Sequence, residues 1–245
     1  MRRSISALAT ASALALVLSW TSWASASFVE QFETLVSGQD APPGTALPLP
    51  TGSWFAINNS VPIGPTGVSR LPTAVGGTTP WPVNPGDGDF YASMNFNNGA
   101  DPPPTQIDTY LMSPQLTFNN GDQISFITRT ISNTFPDRLI LKLSTSGAST
   151  NAADFTTTLL SVNGALGANY PTTWTLFSAT ISGLGGPTSG RFAFNYNVPD
   201  GGPSGANSNI IGIDRAAFTQ VPEPASCLFA AGACGLLALR RRRAA

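Results

Sequence analysis

The chain has 245 residues, a formal net charge of −1, no histidine, and two cysteines that both lie near the C-terminus. The missing histidine excludes Ser-His-Asp and Cys-His catalysis and removes the usual zinc ligands. Residues 27–219 hold six basic and twelve acidic side chains, a net charge near −6, which argues against nucleic acid or anionic lipid as a partner.

The N-terminus has the pattern of a secretory signal. Arg2 and Arg3 precede an apolar segment from Ile5 to Trp20, and Ala24-Ser25-Ala26 has the small-residue pattern that signal peptidase cleaves. We therefore predict a signal helix within residues 1–26 and a mature chain that begins at Ser27. An N-terminal membrane anchor is the alternative, although the apolar segment is short for a span.

Short β-rich segments separated by Gly, Pro, Asn, Asp and Ser clusters follow in residues 27–219, a pattern typical of a sandwich or barrel. Leu139, Leu141 and Leu143 alternate with Ile140 and Lys142, as expected for the two faces of a strand. Phe192, Phe194 and Tyr196 likewise share a face that we place in the core. The predicted strands are Phe28–Glu33, Ser53–Asn58, Phe90–Phe96, Thr109–Phe118 with a break at Pro114, Gln123–Ile131, Arg138–Ser144, Phe155–Val162, Thr173–Ile181, Arg191–Asn197 and Ile210–Phe218.

Two proline-rich regions, 34–52 and 60–89, are predicted to be loops rather than strands. The second of them ends in Asn84-Pro85-Gly86-Asp87-Gly88-Asp89. This segment combines turn residues with two closely spaced carboxylates, so it is either an ordinary turn or half of a calcium loop.

Several short motifs give the body a family resemblance. They are Phe32-Glu33, Asp108 to Leu116 with its Leu-Met-Ser-Pro-Gln-Leu segment, Gly121 to Phe126, Leu139 to Thr145, Phe192 to Phe194, and Ile213-Asp214. Together they resemble the choice-of-anchor J domain, which is akin to cleaved-adhesin modules of the MAM-like jelly-roll type. The resemblance implies that residues 27–219 form an all-β, jelly-roll-type β-sandwich of two antiparallel sheets.

The same resemblance implies a structural calcium near the first and last strands, where Glu33 and Asp214 are the candidate ligands. Family modules often carry an Asp-Asp pair in the last strand, whereas this chain has Asp214-Arg215. Alternatively, Glu33 is a solvated edge residue and Asp214 pairs with Arg215 or Arg191. Asp87 and Asp89 are a separate candidate metal site.

Sugar binding requires exposed aromatic side chains beside polar groups. Trp81 is the candidate glycan contact, because Pro80 and Pro82 flank it in a predicted loop. Trp174 lies in an alternating segment and is expected in the core. For every strand aromatic, packing is the competing interpretation.

The C-terminal residues 220–245 form a third segment. Pro222-Glu223-Pro224 disfavours helix and is followed by fifteen largely apolar residues, 225–239, and then by Arg240, Arg241, Arg242 and Arg243. Fifteen helical residues span about 22 Å, less than the roughly 30 Å of a hydrocarbon core. The arrangement resembles the PEP-CTERM sorting tail, which implies an apolar tail helix and removal of the tail by an exosortase. A permanent one-pass anchor is the alternative.

The sequence thus predicts a non-catalytic protein that signal peptidase and exosortase process. It would pass through the inner membrane of a Gram-negative-type bacterium to the cell surface or extracellular matrix, touching the membrane only through its unprocessed tail. An adhesive or structural role, with extracellular polysaccharide as a partner, is the main hypothesis. The alternative is a secreted carbohydrate-active hydrolase using paired carboxylates.

Overall fold

The computed structural model describes residues 27–35, 46–71 and 81–221, which form two antiparallel β-sheets packed face to face. The predicted all-β sandwich is therefore confirmed. The predicted signal helix and the apolar tail helix lie outside the described residues. Within the described ranges, no helix is long and apolar enough to cross a membrane.

The described residues form thirteen strands and two short 3₁₀ turns, Phe96–Asn98 and Ala152–Asp154. The strands are β1 Phe28–Glu30, β2 Ala46–Leu49, β3 Gly52–Asn58, β4 Ser69–Leu71, β5 Tyr91–Asn95, β6 Thr105–Met112, β7 Leu116–Phe118, β8 Gln123–Thr130, β9 Leu139–Ser144, β10 Thr157–Val162, β11 Thr175–Thr180, β12 Thr188–Gly201 and β13 Ile210–Thr219.

Sheet I has the order β11-β8-β13-β5-β4, and β1 also pairs with β13. Sheet II has the order β10-β9-β12-β6-β3-β2, and β7 also pairs with β12. Because Phe28 is the register partner of Phe218, the first and last strands of the sandwich are neighbours.

Aromatic side chains from both sheets fill the space between them. Trp54 from sheet II contacts Phe32 with ring centroids 5.4 Å apart, and Phe126 from sheet I contacts Phe194 at 4.9 Å. Phe192, Phe194 and Tyr196 are fully buried, as their shared face predicts. Leu139, Leu141 and Leu143 are also buried.

The two proline-rich regions are not wholly loops, and this prediction was wrong for β2 and β4. In β2, Leu47 and Leu49 are buried while Pro48 is exposed. Both strands lie at sheet edges, where a proline without an N–H is tolerated because no further strand needs its hydrogen bond. The break predicted at Pro114 is present, since β6 ends at Met112 and β7 begins at Leu116.

Candidate functional site

Glu33 follows β1 and reaches the turn that precedes β5. Its carboxylate accepts hydrogen bonds from the backbone N–H groups of Asp89, at 3.0 and 3.1 Å, and of Phe90, at 3.1 Å. Gly88 makes this approach possible, because a Cβ there would lie 2.1 Å from Glu33 Oε1. Glu33 is therefore a constrained turn residue rather than a freely solvated edge residue.

Asp87 is buried in the same turn and is held from two sides. The side-chain amide of Asn84 donates to its Oδ2, and its own N–H donates to the Asn84 carbonyl at 3.0 Å. Arg215 Nε lies 3.2 Å from Asp87 Oδ1. The Arg215 guanidinium, on the last strand, thus forms its ion pair with Asp87 and not with Asp214.

Asp214 is fully buried on the outer face of sheet I. Its Oδ1 accepts the backbone N–H of Arg215 at 2.7 Å, whereas its Oδ2 has no hydrogen-bond partner. The pKa of Asp214 is raised to about 8, chiefly by burial and also by the negative charges of Asp87 and Glu33, against the lowering effects of the Arg215 N–H and the Arg215 charge. A negative charge on Asp214 would therefore be stabilised by one hydrogen bond only, the bond from the Arg215 N–H.

A β-bulge between Asp214 and Ala217 explains how neighbouring residues of β13 take different environments. Arg215, with φ 49°, is the residue displaced to the surface, while Ala216 returns to the core. A bulge re-aims side chains in this way by adding an unpaired residue. It places the Arg215 side chain where it can reach Asp87.

The structure therefore brings three of the four predicted metal ligands, Glu33, Asp87 and Asp214, into one electrostatic cluster rather than two separate sites. Carboxylate oxygens, one of them buried without a partner, are the donors that calcium prefers. These residues suit calcium in the type of ligand atom but not yet in their spacing. Nowhere in residues 27–35, 46–71 and 81–221 do three such side chains already lie close enough together to hold a metal ion. An ion would have to draw these carboxylates together.

The other sequence alternatives are resolved by contacts. Asp89 is exposed, and its backbone N–H rather than its carboxylate contacts Glu33. Arg191 donates to the Ser113 carbonyl at 2.6 Å and lies over the Phe55 ring, so it is not the partner of Asp214. Glu30, which the sequence did not single out, is buried and accepts hydrogen bonds from Phe32 N–H at 2.8 Å and Thr51 Oγ1 at 2.6 Å.

Trp81, the candidate glycan contact, was predicted to be exposed, and this prediction of exposure was wrong, because only 4% of Trp81 is exposed. Its ring stacks on Tyr91 at 5.7 Å and covers Gly212, whose missing side chain leaves room for it. Trp174, expected in the core, is instead half-buried at the edge of the same group, 5.2 Å from Tyr91. Its indole N–H donates to the Pro82 carbonyl at 3.2 Å.

Arg129 completes this aromatic group and was missed by the sequence analysis. Its guanidinium lies over the Trp81 ring, 5.0 Å from the centroid, and its Nη2 donates to the Thr172 carbonyl. Arg129 is directly opposite Gly212 in the sheet register. A glycine inside the apolar β13 pattern is the sequence signal for close approach that would have located this group.

The last described residues contact the sandwich closely. Val221 N–H donates to Asp122 Oδ1 at 2.9 Å, and Asp122 Oδ2 accepts Asn119 N–H at 2.7 Å. The chain is thus attached to the Asn119–Asp122 turn immediately before Pro222. The predicted sorting residues Pro222, Glu223 and Pro224 and the arginine cluster lie outside the described residues.

Comparison with known families accounts for this C-terminal segment. Residues 220–243 match the model described as the PEP-CTERM protein-sorting motif. The chain carries a PEP-CTERM sorting motif. The motif implies an exported protein that is sorted by an exosortase to the cell surface. No curated protein sequence matches the chain.

Solved structures resemble the body. The K2 cleaved adhesin domain of Lys-gingipain (Kgp) is 19% identical with a TM-score of 0.50, over 80% of this chain and 98% of that domain. The K1 domain of Lys-gingipain from Porphyromonas gingivalis W83 is 15% identical with a TM-score of 0.49, over 80% and 99%. TmCBM61 in complex with β-1,4-galactotriose is 13% identical with a TM-score of 0.38, over 78% and 95%. The K2 match shows a shared fold, which agrees with the cleaved-adhesin resemblance of the sequence.

Proposed function

We propose that this protein is a non-catalytic surface or extracellular-matrix component with an adhesive or structural role, and that it contacts glycans. The sorting motif at residues 220–243 carries the proposal, because it directs a folded body out of the cell and not toward a cytoplasmic reaction. The cleaved-adhesin fold of the K2 domain supports the adhesive role. Polysaccharide of the extracellular matrix is the proposed partner.

Processing at both ends follows from this proposal. Signal peptidase would cleave after Ala26, and exosortase would remove the arginine-ended tail after an inner-membrane stage, in a Gram-negative-type envelope. Mass spectrometry of protein recovered from the producing cells should find Ser27 at the N-terminus and no Arg240–Arg243 cluster. Full-length C-termini on the surface protein would refute exosortase sorting.

Asp214 is a candidate acid for the hydrolase alternative, because its raised pKa would suit proton donation at neutral pH. A general acid must reach the leaving group of its substrate, however, and Asp214 is fully buried. This burial favours a structural role for the carboxylate cluster.

We further propose that this cluster binds a structural calcium. A divalent cation would offset the repulsion among Glu33, Asp87 and Asp214 and would give the unpartnered Asp214 Oδ2 a ligand contact. It would join the segment after β1, the turn before β5 and the last strand. Asp89 is exposed and is not part of the proposed ligand set.

Thermal melts with chelator and with millimolar calcium test this site. At 100 times its Kd, calcium would add about 2.7 kcal/mol of stability, which corresponds to roughly 5–10 °C for a body of this size. Asp214→Asn should abolish most of the shift, and Asp89→Asn is the matched control that should retain it. An unchanged melt after chelation, or equal loss in both variants, would refute the site.

A further inference from the structure

The outer face of sheet I has an unusual concentration of buried polar atoms without hydrogen-bond partners. Six such side-chain atoms occur in the described part of the chain, and four of them belong to this face. Arg129, Gly212 and Ser93 are direct register partners in three neighbouring strands, and Asp214 follows on the same side of β13. The four atoms are Trp81 Nε1, Ser93 Oγ, Arg129 Nε and Asp214 Oδ2.

Arg129 has a charge that no carboxylate balances. Across residues 27–35, 46–71 and 81–221 the structure contains one ion pair, Arg215 with Asp87, and Arg129 takes no part in it. The guanidinium is half-buried against the Trp81 ring and donates one hydrogen bond to the Thr172 carbonyl. Its Nε is buried without a partner, so a ligand could meet only the Nη groups. The two Nη groups of one planar guanidinium are suited to bidentate recognition of a carboxylate.

Trp174 lies beside this cation and is held in place by its neighbours. Its indole N–H bonds to Pro82, and its ring meets Tyr91 edge-on at an interplanar angle of 76°. The Trp174 side chain is half-buried, and Leu176, two residues further along the chain, is 68% exposed. A rigid, partly exposed indole offers a flat apolar surface at little cost in conformational entropy.

Together, the two side chains match one class of ligand. We propose that the outer face of sheet I, at Arg129 and Trp174, binds sugar rings that carry a carboxylate, as the uronate units of an acidic polysaccharide do. The apolar face of the ring packs on Trp174, and the carboxylate accepts hydrogen bonds from the Arg129 guanidinium. This inference rests on the proposed glycan contact and specifies the site and the charge of the sugar.

The net charge of the body limits how such a ligand is bound. Because residues 27–219 carry a net charge near −6, a polyanion is repelled by most of the surface and only a short segment can be held at Arg129. Affinity for uronate oligomers should therefore be modest.

Isothermal titration calorimetry on the exported protein purified from producing cells tests the site. The probes are trigalacturonate, its methyl ester, and neutral galactotriose. Trigalacturonate should bind, and Arg129→Gln and Trp174→Ala should each weaken binding at least tenfold. Arg138→Gln is the matched control, since Arg138 is also half-buried but donates to Asn197 on sheet II. Arg129→Lys retains the positive charge but lacks the planar guanidinium with its paired donors, so this variant should also bind trigalacturonate more weakly.

Melting curves should show that all four variants are folded. Equal binding of the acid and its methyl ester would overturn carboxylate recognition. Normal trigalacturonate binding by Arg129→Gln would place the glycan site elsewhere and leave the proposed function standing. If trigalacturonate does not bind but galactotriose does, the inference fails and glycan contact survives. If none of the probes binds, this site is refuted, while sorting is judged separately by the mass of the mature protein.

Discussion

Gly88 offers the sharpest test of the contact between Glu33 and the turn before β5. In Gly88→Ala the new Cβ would lie 2.1 Å from Glu33 Oε1, so the carboxylate must leave the Asp89 and Phe90 amides. Gly86 has nearly the same φ, +91° against +89° for Gly88, but nothing lies within 4 Å of a Cβ there. Gly86→Ala therefore isolates the cost of the positive φ alone.

The two variants should differ measurably. An alanine at positive φ costs about 1–2 kcal/mol, and this should be the whole effect of Gly86→Ala. Displacing a charged acceptor from its amides adds roughly 1.5–3 kcal/mol, so Gly88→Ala should lose about 2.5–5 kcal/mol of unfolding free energy. Urea denaturation in the presence of chelator measures both values without any contribution from calcium.

A double-mutant cycle separates the contact from the backbone strain. In a Glu33→Ala background, Gly88→Ala and Gly86→Ala should cost the same, because the displaced carboxylate is gone. Equal destabilisation of the two variants in the wild-type background would refute the reasoning. So would a difference between them that persists without Glu33.

Three further predictions concern the sandwich. Glu30→Ala should destabilise it by about 2–4 kcal/mol in urea melts, since Phe32 N–H and Thr51 lose a buried acceptor. Burial raises the pKa of Asp137 despite its bonds to Thr130, Tyr196 and Asn209. The folded state therefore holds a proton that the unfolded chain releases near pH 4, and stability should fall as pH rises from there through the folded pKa; Asp137→Asn should flatten that slope, and an unchanged slope would contradict it. Phe194→Ala should cost about 3–5 kcal/mol and exposed Leu176→Ala under about 0.5, so comparable losses would show that the core is assigned wrongly.

The sequence predicted the central strands well because their apolar residues alternate between clear turn signals. It missed β2 because this strand contains Pro48, and it missed β4 because this strand has only three residues. Both are edge strands, whose backbones pair on one side only. It also separated Glu33 and Asp214 from Asp87. Their proximity depends on the 81–90 segment folding over Gly212, a tertiary contact between residues far apart in the chain. The contact with Gly212 also buries Trp81, which the sequence analysis predicted to be exposed because prolines flank it.

The pairing of β1 with β13 brings the predicted mature N-terminus beside the point where the sorting tail departs. Ser27 precedes a strand whose partner ends two residues before Val221, so both proteolytic cuts would fall at one pole of the sandwich. While the tail is still embedded, that pole would face the lipid. The connections 131–138 and 202–209, at the other ends of β8 and β13, would then point away from the cell. A tag fused at Ser27 would lie close to the bilayer, whereas an epitope inserted beside Phe135, whose side chain is 46% exposed, would be displayed outward.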